Sequence, residues 1–356
     1  NVRMINWAAY TLAFQQSDFR WLWAGGLGGN SAYWGLLVVR AVLVLQMTGS
    51  STMVGITTFA AMAPRFVTPP IAGYLADRFT RRTVLVSGYL AQMVHSFVLA
   101  SLALAGVLDA WHVVGLAAFN GAVRSFQMTA TQSLVPNVVP KEHLLNAVAL
   151  NMVSTHGSKF VGPGLVAIPL VLSGPTAAFV ACSAFYIAGL VGILRIRTRT
   201  SGGLSKGTSF AAGQKEAVKY ILSSKPLVAL FLLVMMHCSM TMAYESVLPS
   251  FARDVIKDPV GGVSYLMMGV GAGSVILALL VAGMKGQRTR GWIFLVTGLA
   301  SGISLVLLAV SANPAMAVIA AGTMGGSQVG FMAIANSSIQ TIAPDELRGR
   351  ITGLNQ

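Results

Sequence analysis

Five ionisable residues stand inside long apolar runs of this chain: Arg40, Arg65, Arg124, Lys159 and Glu245. An ionisable group at membrane depth costs about 2.5–3.5 kcal/mol on insertion scales, so each must face a cavity or a partner. Four are positive and lie in the first half, whereas the one carboxylate lies in the second. At about 1.5 Å of rise per residue, Arg65, Arg124 and Lys159 fall within about two turns of the membrane midplane. Three cations there suit a guest with a negative head. Their other open role is bonding to backbone carbonyls freed by Pro64, Pro69, Pro70 and Pro163. Asn30, Asn151 and His156 are further candidate cavity groups, and His156 shares a helix face with Lys159. Arg40 and Glu245 each lie about 19 residues into an apolar span. They are expected to meet across a central cavity as an outer gate, and protonation of Glu245 would weaken the pair and favour opening. Local pairing of each residue is the alternative.

The elements that position these groups follow from composition. The 356 residues are 55% hydrophobic and only 10% charged, against about 25% charged in a soluble domain, and mean hydropathy is +0.71. This excludes a soluble enzyme, a disordered chain and a disulfide scaffold; Cys182 and Cys238 both lie in apolar runs. A bilayer core of about 30 Å needs about 20 apolar helical residues. That window predicts an all-α polytopic membrane protein with ten spans: Trp21–Gln46, Met53–Ala72, Val84–Ala105, Trp111–Leu134, Leu144–Leu172, Pro175–Leu194, Pro226–Phe251, Val263–Met284, Trp292–Val310 and Pro314–Ile342. Residues 1–20 read as an interfacial segment.

Of the 24 basic residues, eighteen fall on the side that holds the N-terminus, two (Arg253 and Lys257) on the other, and four within spans. By the excess of positive charge in cytoplasmic loops, the N-terminus is cytoplasmic. The net charge of +14 then reflects orientation against anionic lipid, without nucleic acid as a partner.

Residues 195–225 form a cytoplasmic linker, opening on Arg195-Ile-Arg197-Thr-Arg199 and becoming amphipathic at Phe210–Ile221. It separates a six-helix unit, 21–194, from a second unit, 226–356. The two halves echo each other: Pro140-Lys141-Glu142 with Leu150-Asn151 recurs as Pro344-Asp345-Glu346 with Leu354-Asn355. A repeated six-helix unit is the pattern of a rocking-bundle transporter. The second copy is expected to be incomplete here, with residues 347–356 only starting an eleventh helix.

Between spans two and three stands Gly73-Tyr74-Leu75-Ala76-Asp77-Arg78-Phe79-Thr80-Arg81-Arg82. It resembles the signature loop of the major facilitator superfamily, Gly-x-Leu-Ala-Asp-Arg-x-Gly-Arg-Arg, with Thr80 in place of the second Gly. Gln132-Ser133-Leu134-Val135-Pro136, Leu248-Pro249-Ser250-Phe251 and Pro344-Asp345-Glu346-Leu347-Arg348-Gly349-Arg350 are similar to the enterobactin-exporter and macrolide-efflux branch. The resemblance implies a major facilitator fold of two six-helix bundles working by alternating access. It also implies conformational-switch roles for Gly73, Asp77, Arg78, Arg81 and Arg82. Gly162-Pro163 in span five resembles part of the antiporter signature and is expected to kink that helix. The superfamily's span-four Arg has no counterpart: Ala117 stands where it would be, with Arg124 about a turn beyond the following Gly121.

Gly269-Val-Gly271-Ala-Gly273 lies inside an apolar span with no preceding strand, so it reads as helix packing rather than a dinucleotide loop. No His-Glu-x-x-His, Walker loop or metal-ligand spacing occurs, so no cofactor, metal or enzymatic role is expected. The expected activity is secondary active transport in the bacterial inner membrane by a monomer: proton-coupled efflux of an amphiphilic small molecule, siderophore or drug, with an anionic head favoured. A lysophospholipid-like substrate and a non-transporting receptor on the same fold remain as alternatives. The orientation is tested by reporter fusions: a fluorescent protein joined after Lys206 should fluoresce, and alkaline phosphatase at the same point should be inactive.

Overall fold

The computed structural model describes residues 12–64, 68, 80–140, 143–198, 210–242, 244–258, 261–282, 287–344, 347, 351 and 354. Among them the regular structure is entirely helical. A 3-10 turn at Leu12–Gln15 leads into α1 (Ser17–Thr48), α2 (Ser51–Met62), α3 (Arg81–Leu104), α4 (Ala110–Val138) and α5 (Leu144–Leu194). Then follow α6 (Phe210–Ser223), α7 (Lys225–Thr241), α8 (Tyr244–Phe251), a π-helical turn at Ala252–Ile256, α9 (Gly261–Ala282), α10 (Gln287–Ala309) and α11 (Pro314–Ile342).

Seven helices among the described residues are long and apolar enough to cross a membrane, so the expected count of ten spans with the start of an eleventh is not reproduced. The difference has three sources. Spans five and six run together as α5, whose non-helical backbone sits at Gly174 (φ 78°), just before Pro175. Span two is described only as the short helix α2. Span four, α4, carries His112, Asn120, Arg124 and Gln127 along its length, which lowers its hydropathy; Asn120 and Gln127 are buried. Span seven is also interrupted: α7 stops at Thr241, and a second helix and the π turn carry the chain on to Lys257, itself left-handed at φ 63°. Of the interfacial segment, residues 1–11 lie outside the described residues.

The chain divides into two compact units. One comprises Asn1–Leu204 with Ser246–Met268, the other Ser205–Glu245 with Gly269–Gln356. In the first unit α1 lies along α5. Lipid gives no hydrophobic drive for helices to associate, so small residues and interhelical hydrogen bonds must do it. The Trp23 indole donates to the Leu150 carbonyl at 2.8 Å, and the Tyr89 hydroxyl of α3 donates to the Gly25 carbonyl at 2.9 Å. At the cytoplasm-proximal end predicted by the charge count, the Asp18 carboxylate accepts from the backbone N–H of Arg197 (3.2 Å) and Thr198 (2.8 Å). Arg195 stacks 4.3 Å from the Trp21 ring beside it.

The second unit holds a core of Ala217, Ile221 and Leu227 against Ile339, Ala343, Leu347 and Ile351. Stacked rings link α7, α10 and α11: His237 lies 4.0 Å from Phe331, which lies 4.3 Å from Phe294.

Two glycines are dictated by close approach. A Cβ at Gly121 would fall on the Ala61 carbonyl of α2, and one at Gly273 on the Gly322 carbonyl of α11. Gly55, in contrast, has nothing within 4 Å of that position. Gly121→Leu should therefore cost roughly 3 kcal/mol by prying α2 from α4, while Gly55→Ala should leave stability unchanged or slightly raised. Thermal unfolding of the two purified variants in detergent checks this.

Candidate functional site

The first unit gathers its polar groups around one turn of α1. Asn30, Tyr33 and Trp34 occupy positions i, i+3 and i+4 and so share a face. Arg124 reaches that turn from α4: its Nη2 donates to Asn30 Oδ1, and its guanidinium lies 4.9 Å from the centre of the Tyr33 ring. Lys159 reaches it from α5, with Nζ 4.2 Å from the centre of the Trp34 ring. The two rings meet edge to face at 5.3 Å and 80°. Cation–π contacts and a carboxamide acceptor hold a cation in place without removing its charge. Two sequence-predicted cations are thus brought to adjacent aromatic faces.

Helix α5 supplies the rest of this side. His156 lies one turn before Lys159, within its electrostatic reach, with a buried Nδ1 that lacks a hydrogen-bond partner among the described residues. Asn151 is half-buried, and its carbonyl accepts from the Thr155 hydroxyl at 3.0 Å. Pro163 has no N–H to offer the carbonyl of Lys159 four residues earlier. The non-helical backbone of α5 is at Gly174, which has a positive φ and lies between the expected spans five and six, whereas Pro163 lies within the helix. Gly162 instead lets α5 approach the Ser31 carbonyl of α1.

Arg40 is buried on α1 at 3% exposure, and its Nε donates to the Leu36 carbonyl at 3.2 Å. Tyr33, Cys182, Tyr186 and His95 lie within electrostatic reach of it. Glu245 belongs to the second unit, buried at 7% exposure, where it accepts from the Tyr244 hydroxyl at 3.3 Å. Arg65, Gly73, Asp77 and Arg78 lie outside the described residues. Of the remaining switch-loop residues, Arg81 donates from Nη1 to Asn137 Oδ1 of α4. Arg82 donates from Nη2 to the Leu194 carbonyl at 2.6 Å, capping the end of α5. Both hold the first unit together at one end.

Two sets of residues escaped the sequence reading. Tyr33 could have been found from its spacing to Asn30 and Trp34. Gln92 and Gln127 form a buried network with Asn120: Gln92 Nε2 donates to the Asn120 carbonyl at 3.4 Å and to Gln127 Oε1 at 3.3 Å. The signal for these was carboxamides within otherwise apolar spans. Among the described residues no cluster of His, Cys, Asp and Glu could hold a metal ion.

A family model described as transmembrane secretion effector matches residues 8–356. The multidrug efflux pump Tap of Mycolicibacterium fortuitum is 26% identical over 321 residues, covering 88% of this chain and 78% of that protein. The enterobactin exporter EntS of Salmonella choleraesuis (strain SC-B67) is 24% identical over 328 residues, covering 90% and 77%. Among solved structures, the nucleoside transporter NupG superposes with a TM-score of 0.76 at 11% identity, covering 95% of this chain and 86% of that one. A peptide-transporter (POT) family structure gives 0.70 at 13% identity, again covering 95% and 86%. At such identities these structures speak for the fold alone.

The Arg124–Asn30 contact is directly testable. A hydrogen bond to a charged group contributes about 1.5–3 kcal/mol. Asn30→Leu should therefore destabilise the protein by roughly 2 kcal/mol, whereas Asn30→Asp, which keeps an acceptor, should lose clearly less. The shift in unfolding temperature of each purified variant decides it.

Proposed function

Because the chain belongs to the transmembrane secretion effector family of the major facilitator superfamily, whose members are transporters and not enzymes, we propose that it exports an amphiphilic small molecule with an anionic head, in exchange for protons, by alternating access in the bacterial inner membrane. The observation that supports this reading best is the convergence of Arg124 and Lys159 on the aromatic pair Tyr33–Trp34. Cations held at membrane depth attract a negative group, and aromatic faces accept the flat apolar body of an amphiphile. The names of two relatives, a multidrug efflux pump and an enterobactin exporter, agree with outward transport of such a guest. Arg65, His156, Asn30 and Asn151 complete the proposed substrate region.

Coupling is assigned to Glu245. As the sole carboxylate in the apolar spans, it attracts Arg40 when ionised and loses that attraction when protonated, so proton uptake favours opening of the outer gate. Asp77, Arg81 and their neighbours in the loop 73–82 act in the switch between the two access states. The protein acts as a monomer with its N-terminus in the cytoplasm.

Inverted membrane vesicles with a preset pH gradient test the reading. Anionic siderophores, cationic drugs and lysolipids are added in turn, and proton leak is recorded. The wild type should leak with the anionic class, and Glu245→Gln should reduce that leak about a hundredfold or more, the effect of removing a group that transfers a proton. Leak confined to cationic drugs would remove the anionic assignment. No leak with any class would remove proton coupling and favour the lysolipid alternative.

A further inference from the structure

Arg40 poses a separate problem within the first unit. A guanidinium keeps its charge at any physiological pH, and burying an ion without compensation costs several kcal/mol. The Arg40 Nε is satisfied by the Leu36 carbonyl, but Nη1 is buried with no hydrogen-bond partner among the described residues. Within its own unit, the described titratable groups in electrostatic reach are Tyr33, Cys182, Tyr186 and His95, none of them a carboxylate. Beside the guanidinium runs a narrow cavity between α1 and α2, with Tyr33, Thr57 and Thr58 as its other polar walls and Leu37, Val54 and Met62 among the apolar ones. It has room for a single body of about water size.

We propose that this cavity binds a small monovalent anion of halide size, chloride in the cell, held by Arg40 Nη1 and the hydroxyls around it. Thr57 and Thr58 donate to the carbonyls of Met53 (2.8 Å) and Val54 (2.9 Å) in their own helix. Turning either hydroxyl into the cavity exchanges a local side-chain-to-backbone bond for a charge-assisted one. The size of the space shuts out sulfate, a carboxylic acid or a phosphate head, which separates this site from the substrate region at Arg124 and Lys159. Tyr33 joins the two, since it lines the cavity and its ring also carries the Arg124 guanidinium. The site stands whatever the exported molecule is. If Arg40 and Glu245 also form the gate proposed above, the anion and the carboxylate are alternative partners of one guanidinium.

The full chain, purified in detergent, is unfolded thermally while potassium gluconate is replaced by potassium chloride at constant ionic strength. Chloride should raise the wild-type unfolding temperature by about 3 °C, along a saturating curve. Bromide, the larger ion, should shift it less than chloride, and sulfate should give no saturating shift. Arg40→Gln and Thr57→Val should each lose most of the shift; the second variant keeps the test open should the first fail to fold. The shift should persist in Glu245→Gln. A wild type indifferent to chloride against gluconate overturns the proposal and leaves a cavity that takes only water. A shift undiminished in both cavity variants overturns it too, and so does one abolished by Glu245→Gln, which would make Arg40 and Glu245 a single site.

Discussion

Helix α1 can approach α5 only because both present backbone where most helices present side chains. Gly25 faces the Gly189 carbonyl, Gly28 the Phe185 carbonyl, and Gly162 the Ser31 carbonyl. In lipid, where apolar side chains gain nothing by leaving their surroundings, this closeness is what holds two helices together. The rest of the first unit depends on it. With α5 drawn this near, the Ser158 hydroxyl reaches the Leu27 carbonyl at 3.3 Å, and one residue further on Lys159 comes over Trp34. The opposite flank of the same α1 turn is then left to α4 and Arg124.

The polar interior this creates explains a helix that looks wrong for a membrane. Helix α4 carries too many carboxamides and charges to face lipid, yet Asn120 and Gln127 are buried against Gln92 of α3. The bonds made by Gln92 offset part of the desolvation of these carboxamides. Hydrogen bonds at one end of the unit, from Arg197 and Thr198 to Asp18 and from Arg82 to the Leu194 carbonyl, tie the ends of α1, α3 and α5 together. A body bound at its end and through its middle can move as a whole.

The second unit is built on different terms. Its contacts are stacked rings, from His237 through Phe331 to Phe294, and the glycine approach of α9 to α11. No cation of the apolar spans belongs to it, and the one carboxylate of those spans does. The division of charge between halves, visible in the sequence, therefore persists as a division between physical units.

What the sequence determined by itself was the class of protein, its helical segments and which ionisable residues lie in its apolar runs. Hydropathy and basic-loop counts sum over many residues, so no single contact decides them; helix lies over every expected span where residues are described. The motif at Gly73–Arg82 pointed to the family for the same reason, as a local pattern that survives without partners. Tertiary structure alone decided which charges meet. Arg124 and Asn30 are 94 residues apart, and nothing in either neighbourhood names the other. It also decided that the non-helical residue of α5 is Gly174 (φ 78°), at the joint between the expected spans five and six. Likewise, the burial of Arg40 beside a cavity follows from how α2 lies on α1, a property of packing that no periodicity along one helix records.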